Sequence, residues 1–208
     1  PRGYKTNEFS TIDTLRTAAI DSLMDQQYQH LFEKTFRDIK KGGIDAHEQF
    51  SAATQNVVIN TPFSPGYVSS SMKMIAKTIA AHRQLGMKRQ IFFVMFGGWD
   101  HHDEVLNAQG QMLPVVSKGL SELYNATVEL GLDKNVTAFT ASDFARTLTS
   151  NGRGSDHAWG SNQIVVGGAV KGREMYGQYP TLAAGNNLDT GRGRLIPTTS
   201  VDEYFAEL

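Results

Sequence analysis

Asp and His side chains stand close together at three places in the second half of the sequence. The first is residues 97–103, Gly-Gly-Trp-Asp-His-His-Asp, in which Asp100 and His102 are two residues apart. A carboxylate and an imidazole at this spacing are able to chelate one metal ion. The two preceding glycines permit a tight turn that would bring both side chains to the end of a strand. The alternative is a solvated loop whose aspartates cap a helix.

The second place adds a carboxylate and a cation. Asp143 and Arg146 lie in residues 142–146, Ser-Asp-Phe-Ala-Arg. A guanidinium group binds an anion through paired hydrogen bonds, so Arg146 is a candidate for contact with an anionic substrate. For Asp143 the alternative is an ordinary helix cap.

The third place, residues 151–160, is a glycine-bounded loop in which Asp156 and His157 are adjacent. Taken together, the three places predict a site for a divalent metal ion. The chain has no cysteine, so the ligand atoms have to be oxygen and nitrogen, a set that suits zinc, manganese or iron. Zinc or manganese is the expected ion. The candidate ligands are Asp100, His102, Asp143, Asp156 and His157.

Helices are predicted for the first part of the chain. Apolar residues at helical spacing predict a long amphipathic helix over residues 11–39 that ends at Gly42-Gly43. Shorter helices are predicted over residues 45–55 and 68–85, and His30, His47 and His82, which lie in these predicted helices, are expected to be ordinary surface or packing residues.

Strands and helices alternate in the rest of the chain. Residues 90–96, Gln-Ile-Phe-Phe-Val-Met-Phe, form a continuous apolar run, which is typical of a strand buried on both faces of a parallel sheet. A helix with Pro114 near its start is predicted next, followed by strands over residues 135–140 and 163–168. This alternation predicts an α/β fold with parallel strands flanked by helices, and ligands bind outside the carboxyl ends of such strands. Residues 171–199 are predicted to be an extended loop region with weak strands. Within it, Gly191-Arg192-Gly193 is interpreted as a turn; Arg192 and Arg194 could face an anion, but the segment is interpreted as a structural lead-in to a last helix capped by Ser200.

Composition limits the classes of protein to which the chain can belong. A length of 208 residues favours a single domain over residues 1–208. Lys and Arg number 20 against 21 Asp and Glu, for a formal charge of -1, which disfavours nucleic-acid binding. No apolar stretch is long enough to predict a membrane span. We expect missing sequence at both ends, since the first residue is not Met and residues 201–208 stop while still helical in pattern.

In this order, the motifs resemble a bacterial family known as domain of unknown function 1501, which is grouped with the alkaline-phosphatase and sulfatase-like enzymes. The resemblance extends over most of the chain. It is carried by residues 87–94, 97–102, 142–146, 156–160, 167–172 and 191–200.

The resemblance implies an alkaline-phosphatase-like sheet flanked by helices, here as a partial domain with a helical N-terminal third. It also implies export on a twin-arginine leader, hence a periplasmic or secreted location, and a metal centre. His101 stands where the family usually has threonine, and Asp143 stands where it usually has glutamate. The ligands that the resemblance carries over unchanged are Asp100, His102, Asp156 and His157.

Two departures from the alkaline phosphatases bear on function. Those enzymes have Asp-His where this chain has Asp143-Phe144, which puts one of two metal positions in doubt. Their nucleophile comes from an early strand, and the sequence before Gln90 has no counterpart. Two functions therefore stay open. One is metal-dependent hydrolysis of a small phosphate or sulfate ester, with Arg146 or Arg153 stabilising the developing charge. The other is an exported protein with a degenerate metal site that binds an anion or a protein partner without turnover.

Overall fold

The computed structural model describes residues 11–208, which belong to two compact units. Among the described residues, the first unit comprises residues 11–57 and 83–86, and the second comprises residues 58–82 and 87–208. All of the side chains predicted to bind metal or substrate lie in the second unit.

Two helices in contact with each other make up most of the described part of the first unit. They are α1, Thr11–Asp25, and α2, Leu31–Thr54. The prediction of one helix over residues 11–39 that ends at Gly42-Gly43 was wrong in its continuity and in its end. The helical conformation is interrupted between α1 and α2, and α2 continues through both glycines. Glycine lowers helix propensity by about 1 kcal/mol, which the good helix formers around it and contact with a second helix can offset.

Helices α3, Tyr67–Ala80, and α4, Val105–Glu129, pack against each other in the second unit. Their contact is built on small residues: Ala76 and Ala126 are fully buried, and a Cβ on Gly119 would lie 2.6 Å from Val68 Cγ1. The prediction that α4 starts near Pro114 was wrong, since this proline lies inside the helix. A proline removes one backbone hydrogen bond, and here the helix continues on both sides of it.

Two carboxylates of α4 hold the chain that leads into α3. Glu129 accepts hydrogen bonds from the backbone nitrogens of Asn60 at 2.8 Å and Thr61 at 2.7 Å, and Glu122 accepts one from Ser64 N at 2.9 Å. The hydrogen bonds from Thr61 and Asn60 lower the pKa of Glu129 to about 2. This connection is therefore fixed by charge-assisted hydrogen bonds to α4.

The strands form two separate antiparallel pairs. Strand β1, Thr137–Phe139, pairs with β4, Val165–Gly167, and β2, Ala145–Ser150, pairs with β3, Ser155–Ala158. The α/β class and the helical N-terminal third are confirmed. The prediction of parallel strands was wrong for β1 and β4, no strand was predicted at β2 or β3, and an alkaline-phosphatase-like sheet is not seen among the described strands.

Residues 90–96 were predicted to be a buried strand, and this was wrong. They have no regular secondary structure, and Ile91 and Phe93 are 92% and 88% exposed. A strand needs a neighbour to satisfy its backbone groups, and none of the described strands pairs with this segment.

The end of the chain has the predicted loop region and last helix, but not the weak strands predicted within residues 171–199. Residues 171–199 contain an isolated bridge between Asp189 and Leu195 but no helix or ladder. Helix α5, Val201–Ala206, begins with a capping box in which Ser200 and Glu203 satisfy each other's backbone nitrogens. No helix within residues 11–208 is both long and apolar enough to cross a bilayer.

Candidate metal centre

The hairpin of β2 and β3 and the loop before α4 bring the predicted ligands together. The tip of the hairpin docks on that loop: Asn151 Nδ2 donates to His102 O at 3.1 Å, and Glu104 N donates to Arg153 O at 3.1 Å. At Gly154 a Cβ would overlap the carbonyl group of His102, so this close approach requires glycine. The docking places residues 100–102 beside the hairpin.

Three side chains meet at this contact. His157 Nε2 lies 2.7 Å from Asp100 Oδ1, and His102 Nε2 lies 3.0 Å from the same oxygen. One ligand atom from each of these residues falls within 4.8 Å of the others. All three side chains are about half exposed. An oxygen and two imidazole nitrogens with an open side match the donor set of a catalytic zinc site, in which three protein ligands leave a fourth position free.

Arg146 fixes the carboxylate of this group. Its Nη2 donates to Asp100 Oδ1 at 2.7 Å and to Trp99 O at 2.9 Å, while Nη1 donates to Ser155 O at 2.9 Å. The Arg146 side chain is 13% exposed. These contacts tie the loop that bears Asp100 to both strands of the hairpin.

The charges around Asp100 favour its ionised form. The hydrogen bond from His157 and then that from Arg146 lower the pKa of Asp100 to about 2. A carboxylate that stays ionised at neutral pH, with imidazoles converging on one of its oxygens, is in the state in which it binds a cation.

A second carboxylate lies behind His102. Asp156 Oδ1 is 3.4 Å from His102 Nδ1, on the side of the ring opposite to Asp100. Asp156 is itself held by Asn151 Nδ2 at 3.1 Å and by Arg192 Nη2 at 2.7 Å. Hydrogen bonds from Asn151 and Arg192 lower the pKa of Asp156. In this position Asp156 is placed to orient His102, as carboxylates behind metal-bound histidines do.

An aromatic ring fixes the other imidazole. Phe144 stacks on His157 with ring centroids 4.3 Å apart and an interplanar angle of 15°, and the Arg146 guanidinium lies 5.1 Å from the centre of the same Phe144 ring. This stack limits rotation of His157 and keeps its Nε2 directed at Asp100.

The structure therefore brings Asp100, His102 and His157 into one group, with Asp156 one contact away and Arg146 on Asp100. Asp143 is exposed and, within residues 11–208, its side chain makes no hydrogen bond or ion pair with the group. His101 packs its ring edge against Trp99 and lies outside the group.

The ion pair of Arg192 with Asp156 and the stacking of Phe144 on His157 were not predicted from the sequence. Arg192 was interpreted as part of a structural turn, although its glycine neighbours on both sides were a signal for an unusual backbone that presents one side chain. Phe144 was treated as a departure from a metal-binding motif, and no local pattern predicts that it would stack on His157.

Comparison with known proteins gives one match. A family model described as protein of unknown function (DUF1501) matches residues 11–190. No curated protein and no solved structure matches the chain.

Proposed function

The chain belongs to the family described as protein of unknown function (DUF1501), and from this premise we propose that it is a metal-dependent hydrolase of small phosphate or sulfate esters. The observation that carries the proposal is the convergence of His102 Nε2 and His157 Nε2 on one oxygen of Asp100. The proposal includes the kinship with alkaline-phosphatase and sulfatase-like enzymes, zinc or manganese as the ion, and a periplasmic or secreted location after twin-arginine export. The motifs quoted above support these parts by resemblance.

Asp100, His102 and His157 would hold the ion. When bound, a divalent cation there would polarise an ester oxygen and offset the negative charge that develops on the phosphoryl or sulfuryl group. The half-exposed side of the three ligands leaves room for an ester and for water. This open side favours a site that exchanges ligands over a closed structural one.

The remaining side chains position the ligands. Arg146 holds Asp100 ionised and fixed, because its terminal nitrogens already donate to Asp100, Trp99 and Ser155. Asp156 favours the tautomer of His102 that carries its hydrogen on Nδ1, which leaves Nε2 free for a metal. In this role Asp156 orients a ligand rather than binding the ion, and Arg146 acts on a substrate through Asp100.

Metal content tests the proposal directly. The purified protein would be stripped with a chelator, dialysed against zinc or manganese and measured by elemental mass spectrometry. We expect about one equivalent in the wild type and a loss of most of it in His157→Ala. Asp143→Ala is the matched control, since it removes a nearby exposed carboxylate outside the group. Metal retained in His157→Ala, or absent from the wild type, would contradict the proposed site.

Turnover is tested on the reconstituted protein with p-nitrophenyl phosphate and p-nitrophenyl sulfate. We expect release of p-nitrophenol that requires the ion and is lost in His157→Ala. A metal-loaded protein that releases none from either ester would contradict the hydrolase and favour the second function below.

One observation favours a second function, that of a non-catalytic protein that binds an anion or a partner. Among residues 11–208, no Ser or Thr hydroxyl forms a hydrogen bond with the side chain of Asp100, His102 or His157. Binding of inorganic phosphate by the metal-loaded protein without hydrolysis of either ester would establish this alternative.

A further inference from the structure

Asn151 is the only asparagine in the sequence that is followed by glycine. It lies in the hairpin tip, residues 151–154, between β2 and β3. In an Asn-Gly pair the backbone nitrogen of the glycine is able to attack the side-chain amide carbon of the asparagine, because glycine has no side chain to block the approach. Asn151 and Gly152 are exposed, and apart from its chain neighbours no atom of the described residues lies within 4 Å of where a Gly152 Cβ would be. The pair therefore has the space and the access to water that spontaneous deamidation requires.

Deamidation consists of two steps that need no reactant except water. In the first step Gly152 N loses its proton and bonds to Cγ of Asn151, the bond between Cγ and Nδ2 breaks, and Nδ2 takes up the proton and leaves as ammonia. The product of this step is a cyclic imide. In the second step water adds to either carbonyl carbon of the imide and breaks its bond to the ring nitrogen, which gives aspartate or isoaspartate.

The docked tip holds the side-chain amide of Asn151 at both ends. Nδ2 donates to His102 O and to Asp156 Oδ1, both at 3.1 Å. Oδ1 accepts from Arg153 N at 3.0 Å and from Gly154 N at 2.8 Å. The bonds to Oδ1 by themselves would stabilise the charge that forms on this oxygen. The bonds from Nδ2 oppose the reaction, since they hold the leaving group against a carbonyl oxygen and an ion-paired carboxylate, neither of which has a proton to give it.

The attacking nitrogen is held as well. Gly152 N donates to Ser150 Oγ at 3.0 Å, and Ser150 Oγ in turn donates to Gly154 O at 3.0 Å. Gly152 N attacks only after it has lost its proton, and in the docked tip this proton is shared with a hydroxyl group, which is too weak a base to remove it. The reaction therefore has to wait for a local opening of the tip.

The product does not fit the docked tip. An aspartate at position 151 presents an oxygen where Nδ2 stood, so that it faces two acceptors, His102 O and Asp156 Oδ1, without a hydrogen to donate. Its charge also repels that of Asp156. Isoaspartate lengthens the main chain by one carbon, which displaces the Arg153 carbonyl group from Glu104 N, its donor at 3.1 Å.

We propose that Asn151 is a deamidation site that is protected while the hairpin tip is docked, and that its conversion to aspartate or isoaspartate prevents the tip from docking again. Because this docking places residues 100–102 beside the hairpin, deamidation is an irreversible change that separates the loop of two candidate ligands from the hairpin that bears the third.

Peptide mapping measures the reaction. Residues 147–153 follow Arg146 and end with Arg153, so trypsin releases Asn151 in one short peptide, whose mass increase and isoaspartate content are measured. A synthetic peptide of residues 147–153, incubated under the same conditions as the folded protein, gives the unprotected rate. We expect Asn151 to react at least about tenfold more slowly in the protein than in the peptide, because only the open fraction reacts.

Two variants weaken the protection to different extents. Gly154→Ala, whose Cβ would overlap the carbonyl group of His102, should bring the rate close to that of the peptide. Ser150→Ala removes the acceptor of Gly152 N and should raise the rate about 2–10-fold, the effect of losing one hydrogen bond. Circular dichroism checks the fold of both variants, and Ser150→Ala decides the test if Gly154→Ala does not fold.

Asn151→Asp tests the effect of the product on docking. NMR measures hydrogen exchange at the Glu104 amide, which donates to Arg153 O in the docked tip. We expect exchange about tenfold faster than in the wild type, because the tip opens more often. Asn187→Asp is the matched control and should stay within about twofold of wild type. Asn187 is exposed, and within residues 11–208 its side chain makes no hydrogen bond.

Each part of the inference has a result that would overturn it. Equal rates in the protein and the peptide, or wild-type rates in Ser150→Ala and in a folded Gly154→Ala, would overturn the protection. Wild-type exchange at Glu104 in Asn151→Asp would overturn the effect on docking. None of these measurements involves a metal ion, so the inference is tested separately from the proposed function.

Discussion

Asp156→Asn distinguishes a carboxylate that orients His102 from one that binds the ion itself. The substitution keeps the size of the side chain and removes its charge. Carboxylates behind a metal-bound histidine typically contribute 10–100-fold to metal affinity. The distance of 3.4 Å between Asp156 Oδ1 and His102 Nδ1 is longer than a usual hydrogen bond, so we expect the lower end, about tenfold. The zinc affinity would be measured by competition with a chromogenic chelator.

Two further results are expected in that experiment. The stoichiometry should stay at one zinc per chain, because the three atoms that hold the ion are unchanged. Asp143→Asn, an exposed carboxylate outside the group, should have wild-type affinity. Complete loss of zinc in Asp156→Asn would refute the orienting role and make Asp156 a direct ligand, and an effect below twofold would refute any role.

Three other changes test how the site and its surroundings are held. Glu129→Gln should lower the free energy of unfolding above pH 4.5, because the ionised Glu129 carboxylate, with its pKa of about 2, accepts the stabilising hydrogen bonds. The difference from wild type should disappear as the pH falls towards 2. Urea unfolding from pH 2 to 7 measures this difference. Gly154→Ala should cost about 1–3 kcal/mol, since its Cβ overlaps the carbonyl group of His102, and should weaken zinc binding in the chelator assay. Phe93→Ser, at a side chain 88% exposed, should lower the fluorescence of a bound hydrophobic dye and change the free energy of unfolding by less than about 0.5 kcal/mol.

Helices could be predicted from local pattern, and strand pairing could not. The predicted helix over residues 68–85 has its counterpart in Tyr67–Ala80, because apolar spacing is a local property, although the helix ends five residues before the predicted end. Residues 90–96 have the composition of a buried strand, but burial depends on partners elsewhere in the chain, and no described strand pairs with them. For the same reason, the continuous apolar run did not predict how exposed residues 90–96 are.

The antiparallel direction of β2 and β3 could have been predicted from the sequence. Residues 151–154, Asn-Gly-Arg-Gly, lie between β2 and β3, and Asn-Gly between two strands is a strong signal for a hairpin, which makes the strands antiparallel. The expectation of a parallel sheet came from the predicted alternation of helices and strands before this hairpin, over residues 68–140. A turn motif between two strands determines the relative direction of those strands more directly than the order of helices and strands elsewhere in the chain.

The same distinction applies to the site. A motif predicts which types of side chain are present, whereas only the fold determines which charged groups meet. Asp100, His102 and His157 stand in motifs that predict metal ligands, although the contact between Asp100 and His157 joins residues 57 positions apart. The partner of Asp156 could not be predicted, because Arg192 reaches it only through a turn that docks on Leu148. A ligand motif therefore predicts which types of side chain could bind a metal, whereas the pairing of Asp100 with Arg146 and of Asp156 with Arg192 follows only from the fold, which joins segments far apart in the sequence.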